Sequence, residues 1–512
     1  MSAPSVLRQA PDPAPALVPQ WELRARFAVS LATLYGREVP AYTTLVDVSR
    51  AVNEDFVAEH GADAERLGSI SRVTAERHGA IRVGSPAEMA QVARLFAGFG
   101  MHPVGFYDLR DASASSVPVV STAFRPTDVD ELARNPFRVF TSMLVTDDRR
   151  FFDAETQERL ESFVAARELF APDALALADL AVAQGGLAGA DAERFLELAT
   201  ASFALSTEPI DRAWYAHLEA ISAVAADIGG VPATHINHLT PRVLDIDDLY
   251  ARMSALGITM IPEIQGPPGW EGPDVLLRQT SFKALAEPRA FREADGTISS
   301  GELRVRFGEV EQRGIALTTA GRDLYDTLTA EVDRRLAAAP EGTTRVEVAA
   351  DVWREHLPAT ETGLALAGLG FFRFRVADGG ARPSTGSGSV ATGSGSAATG
   401  TGSVALGDLL ASGALVAEPI VYEDFLPRSA AGIFQSNLTD EGSRDDEQLG
   451  TPYDLERLSA VVGIPIADPN DLYAAQQAAS LAEAEAALGL TIRFTTATTP
   501  APLSQTQENA PA

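Results

Sequence analysis

The strongest constraint on how this chain folds is an internal repeat. His78 is followed 22 residues later by Gly100, and His235 is followed 22 residues later by Gly257, so an ungapped shift of 157 residues lays histidine on histidine and glycine on glycine. In both copies an amphipathic run separates the pair (AEMAQVARLFAGFG and IDDLYARMSALG), and an apolar stretch follows it (MHPVGFYDL and ITMIPEI). A single strand-helix-strand unit cannot bury its own apolar face. The pattern therefore predicts an α+β chain in which two βα copies pack around a shared centre.

The remaining segments fit around these two copies. Residues 1–20 are rich in Pro and Ala and read as a disordered tail. From Trp21, apolar residues at three- and four-residue spacing with a stop at Pro40 predict two helices, and residues 21–147 form the N-terminal helices and the first βα half. Within that half HGAIRVGSP reads as a strand halted by Gly84, Ser85 and Pro86, and PFRVFTSMLV as another strand. Residues 148–230 are rich in Ala, Leu and Glu with few breakers, which predicts a helical insertion. The second half, 231–378, opens on ATHINHLTPRVL and carries the strand GELRVRFGEVEQRG. Residues 379–403 are a Gly/Ser/Thr/Ala stretch expected to be a flexible loop inserted in a folded region. The C-terminal α/β part spans 404–498, and 499–512 read as a second disordered tail.

Composition removes several classes of chemistry. With no cysteine, disulfides, iron–sulfur clusters, thiolate zinc sites and cysteine nucleophiles are excluded, so any metal must sit on His, Asp or Glu. A formal charge of −29, from 41 basic and 70 acidic residues, repels nucleic acid and anionic membrane surfaces. No export signal and no long apolar run is legible, and the cytoplasm is the expected compartment. No nucleotide-binding glycine loop and no HExxH is found.

Two imidazoles and one carboxylate form the ligand set that holds ferrous iron while leaving positions open for substrate and oxygen. The candidates are His78, His235 or His238, and Glu309. By strand alternation Val305, Phe307, Glu309 and Glu311 share one face, and carboxylates on a lining face need a metal or a cation to be tolerated. His60, His102, His217 and His356 read as ordinary structural residues. On the residues alone, both a metal site and a set of structural histidines are open.

The phrases RHGAIR, HINHLTPR, FGEVEQRGIALT with GRDLYD, and YEDFLPRSAAGIFQSNL resemble the 2-oxoadipate dioxygenase/decarboxylase (hydroxyglutarate synthase) family of the vicinal-oxygen-chelate superfamily. The likeness spans about residue 20 to about residue 490. EVEQR also resembles the glutamate strand of 4-hydroxyphenylpyruvate dioxygenases. The resemblance implies a vicinal-oxygen-chelate-like β core around Fe(II), with His78 and Glu309 as ligands and a second histidine. The ungapped overlay favours His235 for that place, with His238 as the alternative and Glu311 as the rival of Glu309. It further implies that Arg82 grips a substrate carboxylate and acts in catalysis, and that His78 and the stretch around Arg428 and Ser429 contact substrate. Arg428 departs from the small apolar residue expected of the family there. The implied reaction takes 2-oxoadipate and O2 to 2-hydroxyglutarate and CO2, in lysine catabolism. A metal-dependent isomerase or lyase on a small oxo acid, which needs no O2, and a non-enzymatic helical interaction protein are the competing readings. Oligomeric state is not legible.

Overall fold

A computed structural model of the chain describes residues 16–111, 117–304, 306–377, 403–427, 429, 432, 433, 437 and 442–494. The stretch 379–402 of the expected loop, Val305 and Arg428 lie outside the described residues. At the centre is a five-stranded sheet built from β1 (Arg77–Val83), β2 (His102–Asp108), β3 (Val119–Arg125), β4 (Arg138–Leu144) and β5 (His238–Pro241), in the order β2-β3-β4-β1-β5. β1 pairs parallel with β4 and antiparallel with β5. Past β5 the backbone reaches a second, antiparallel pair, β6 (Leu277–Phe282) and β7 (Gly308–Arg313). The junction is a parallel bridge between Arg242 and Glu311, with the Val243 N–H donating to the Glu311 carbonyl at 2.8 Å.

Helices cover one side of this surface. The Trp21–His60 segment forms α1 (Gln20–Glu38) and α2 (Pro40–His60), broken where Pro40 predicts. α3 (Pro86–Ala97) follows β1. Five helices then separate the two halves, α4 (Ala154–Ala165), α5 (Pro172–Gln184), α6 (Gly189–Ala201), α7 (Arg212–Glu219) and α8 (Ala223–Gly229). α9 (Ile246–Ala255) follows β5. The first half thus runs β1-α3-β2-β3-β4. The second runs β5-α9, then a stretch bridged to β6 at Met260 and Gln265, then β6 and β7. The β3 strand VVSTAFR is not anticipated from the sequence, and ITMIPEI makes single bridges rather than a full strand.

The helix ends explain both the repeat and its error. Gly100 and Gly257 close α3 and α9 in the left-handed region, at φ 67° and 77°. The next residue of each donates back to the helix, Met101 to the Phe96 carbonyl at 3.0 Å and Ile258 to the Met253 carbonyl at 3.2 Å, the bond of a Schellman ending. At the other ends the Ser85 and Asp245 side chains accept from Glu88 N–H and Asp248 N–H. From cap to closing glycine is 15 residues in the first copy and 12 in the second. The span from cap to glycine is therefore three residues shorter in the second copy, and a shift that superposes the glycines misplaces everything upstream by three. Counted seven residues back from each cap, the partner of His78 is His238, not His235.

Alternation then sorts the sheet into two faces. Ile81, Val83, Val120, Phe124, Val139, Met143, Leu239 and Val310 join the buried cluster formed with α1, α2, α3, α5, α6 and α9. The opposite face carries His78, Ala80 and Arg82 from β1, opposite Arg138, Phe140 and Ser142 of β4 and Thr240 and His238 of β5. It continues through Arg242 to Glu311 and Glu309, which face Gln279 and Ser281 of β6. This second face is also buried, under a layer that includes Tyr422, Phe425 and Leu426. Among the described residues no helix is long and apolar enough to cross a membrane.

Candidate metal centre

His78 and His238 sit diagonally on the polar face, because His78 is opposite Thr240 and Ala80 is opposite His238. Glu309 reaches the same place from β7. One ligand atom from each of these three side chains lies within 4.8 Å of the others, and all three residues are buried. His78 Nε2 is 3.3 Å from Glu309 Oε1, and His238 Nε2 is 3.5 Å from Glu309 Oε2. The other nitrogens are held by neighbours. His78 Nδ1 lies 2.9 Å from Glu311 Oε2, and His238 Nδ1 lies 3.0 Å from the Thr240 hydroxyl. Gln279 Nε2 donates to Glu309 Oε1. Rings complete the walls: Phe307 stacks on His238 at 5.2 Å, and Phe425 meets His78 edge-on at 5.0 Å.

His235 lies elsewhere. It precedes β5, and its Nε2 is 3.4 Å from Asp227 Oδ1 and 3.2 Å from Asn237 Nδ2. The geometry therefore replaces His235 by His238 beside His78 and Glu309. Glu311 is one strand step pair from Glu309, on the same face, and is taken up by cations: Arg313 contacts both its oxygens, at 2.7 and 2.8 Å, and Arg138 approaches at 3.3 Å. Arg82 is on the His78 face, buried, and ion-paired with Asp227. Ser429 is buried. His60, His102, His217 and His356 do not join the cluster.

The electrostatics separate the two imidazoles. Burial pushes His78 down, but the Glu311 and Glu309 carboxylates beside it win and raise its pKa above the ordinary value. Burial holds His238 down at about 4 against the pull of Glu309, with the nearby His78 and Arg82 adding to the depression. A neutral His238 is ready to offer a lone pair, and a cation at the centre would displace the proton His78 otherwise attracts. Two imidazole nitrogens, one carboxylate and partnered second nitrogens fit a divalent transition metal with open coordination positions.

Behind the centre lies a network that sequence reasoning misses. Glu76 accepts from Arg138 at 2.7 Å and from Arg242 at 2.9 Å. Glu423 pairs with Arg72 and Arg138. The signal was present in principle, as charged residues recurring at even spacing with His78 and Glu309 on strands too apolar to be exposed. Burial alone would raise Glu76 and Glu423, yet Arg242, Arg138 and Arg72 for the first, and Arg72 and Arg138 for the second, hold both below the ordinary range. Burial likewise opposes Glu311, which Arg313 and His78 bring down to about 2. Such groups bind protons more weakly folded than unfolded, so their stabilisation is complete above the usual value of 4.5 and is lost as pH falls toward the folded-state values. The melting temperature is expected to fall gradually as pH drops below about 6.5, where His238 and His235 protonate in the unfolded chain but stay neutral in the fold, with the raised His78 offsetting part of the loss, and to drop steeply below about 4 as the carboxylates protonate. An unchanged melting temperature at pH 3 would contradict this account.

Two halves that each open on a strand and a helix bring a two-histidine, one-glutamate cluster to their seam, the donor set of a candidate metal centre in an α+β enzyme fold. The family model for 2-oxoadipate dioxygenase/decarboxylase matches residues 27–437. The chain belongs to that family. It is 52% identical over 452 residues to the 2-oxoadipate dioxygenase/decarboxylase of Mycobacterium tuberculosis, covering 88% of this chain and 95% of the relative. The protein of the same name from Pseudomonas putida is 38% identical over 476 residues, covering 91% and 97%. Among solved structures, the hydroxyglutarate synthase of Pseudomonas putida in complex with 2-oxoadipate superposes with a TM-score of 0.77 at 38% identity, covering 93% of this chain and 99% of that one. Membership of an enzyme family sets aside the reading as a helical interaction protein.

Proposed function

We propose that this chain is an Fe(II)-dependent dioxygenase that converts 2-oxoadipate and O2 to 2-hydroxyglutarate and CO2, in lysine catabolism. The observation that carries the reading is the convergence of His78, His238 and Glu309 on one buried sheet face that also presents Arg82. Bound iron would supply a chelation point for the 2-oxo acid and the means of activating O2. The ligands are His78 Nε2, His238 Nε2 and a Glu309 oxygen. The Glu311 carboxylate beside His78 Nδ1 favours the tautomer that leaves Nε2 free for metal, and the Thr240 hydroxyl, which can accept from His238 Nδ1, orients the second ring. Phe307 and Phe425 keep bulk water from the imidazoles. Arg82 binds the far carboxylate and so turns the carbon next to the keto group toward the metal. Ser429, with Arg428, lies in the stretch expected to contact substrate. In the overall balance one substrate carbon leaves as CO2, one oxygen atom enters the new carboxylate and the other the new hydroxyl.

Anaerobic loading with Fe(II) followed by O2 and 2-oxoadipate is expected to consume one O2 per CO2 released. Turnover of an oxo acid without O2 uptake would favour the isomerase or lyase instead. Arg82→Ala is expected to raise KM for 2-oxoadipate by about ten- to a hundredfold while leaving iron content unchanged. Unaltered kinetics in that variant would remove Arg82 from the substrate site.

A further inference from the structure

Asp227 is a buried carboxylate in the otherwise apolar helix α8, AVAADIG, and no metal ligand needs it. Three side chains converge on it from the second half of the fold and from β1. Arg82 Nη1 donates to Oδ2, Asn237 Nδ2 donates to the same oxygen at 3.0 Å, and His235 Nε2 is 3.4 Å from Oδ1. The backbone is tied at the same level, since the Thr234 hydroxyl donates to the Arg82 carbonyl at 2.8 Å and the Asn237 N–H to the Ala80 carbonyl at 2.8 Å. His235, Asn237, Asp227 and Arg82 are each at most 5% exposed.

A buried ion pair adds little net stability over apolar packing, but it fixes the direction of a side chain that would otherwise be free to rotate. From the strand position of Arg82, beyond His238 on the metal face, the guanidinium could point along several directions. The Asp227 carboxylate selects one; the Asn237 amide donates to that carboxylate, and His235 Nε2, accepting from the same amide at 3.2 Å, fixes the direction of the amide. We infer that Asp227, buttressed by Asn237, whose amide His235 in turn orients, is a positioning residue that sets where Arg82 meets the far carboxylate, and thereby selects dicarboxylic over monocarboxylic 2-oxo acids. This rests on the role given to Arg82 under the proposed function. It also supplies His235 with a function in place of metal binding.

The test uses the full-length protein and compares 2-oxoadipate with 2-oxohexanoate, which has the same chain length and no far carboxylate. Binding is read by the ligand-dependent shift in melting temperature, independently of turnover, and kcat/KM is read alongside. Asp227→Asn preserves shape and removes the charge that orients Arg82. It is expected to lower the preference for 2-oxoadipate by about ten- to a hundredfold, with affinity for 2-oxohexanoate unchanged. Asn237→Ala, which leaves the charge in place, is expected to move the preference the same way by a smaller factor. Asp227→Glu is expected to recover part of it. Equal losses for both ligands would mean a merely structural role and would overturn the inference, as would an unchanged preference in Asp227→Asn or a wild-type protein that binds both ligands alike. Failure of the proposed reaction itself shows separately, as absent O2 uptake in wild type with dicarboxylate-selective binding intact.

Discussion

His238→Ala is expected to yield a folded protein with no stoichiometric iron and no measurable O2 uptake, while His235→Ala retains its iron. The contrast follows from where the two rings are. His238 Nε2 is 3.5 Å from Glu309 and shares the cluster with His78, whereas His235 is committed to Asp227 and Asn237. Loss of one of three protein ligands leaves two, too few for the facial arrangement a non-haem iron centre requires. Glu309→Ala is expected to behave like His238→Ala for the same reason. Metal analysis of the purified variants after loading with excess Fe(II) decides the matter, and a His235→Ala protein lacking iron would reverse the assignment.

A second large effect is expected at Glu311, of a different kind. Glu311→Ala leaves the three ligands in place but takes the partner from His78 Nδ1, and removal of such a partner typically weakens metal binding by about ten- to a hundredfold. It also leaves Arg313 and Arg138 buried without one of their carboxylates, and breaking a buried pair in this way costs about 3–5 kcal/mol. The variant should therefore bind iron at saturating concentration, with reduced affinity and a markedly lower denaturation midpoint. Wild-type stability together with complete loss of iron would instead make Glu311 a ligand. Measuring metal affinity and denaturant unfolding on the same samples separates the two roles.

Much of this architecture was legible along the chain. Local periodicity identified α1 and α2, the break at Pro40, the β1-α3-β2 and β5-α9 orders and the closing glycines Gly100 and Gly257. The absence of cysteine confined any metal to His, Asp and Glu, and strand parity placed Glu309 and Glu311 on one face. The overlay selects His235 for a definable reason: the span from N-cap to closing glycine is three residues shorter around α9 than around α3, so an alignment anchored at the glycines is displaced by three at the strands. Anchoring at the caps Ser85 and Asp245 would have selected His238.

Nearest neighbours along the chain encode helical and strand periodicity, caps, breakers and the kinds of ligand on offer. Which glutamate meets the histidines and which meets arginine, and that Asp227 on α8 meets Arg82 on β1, was decided only by the tertiary structure. Those outcomes depend on the register between strands far apart in the chain, and one residue of slip exchanges the two faces of a sheet.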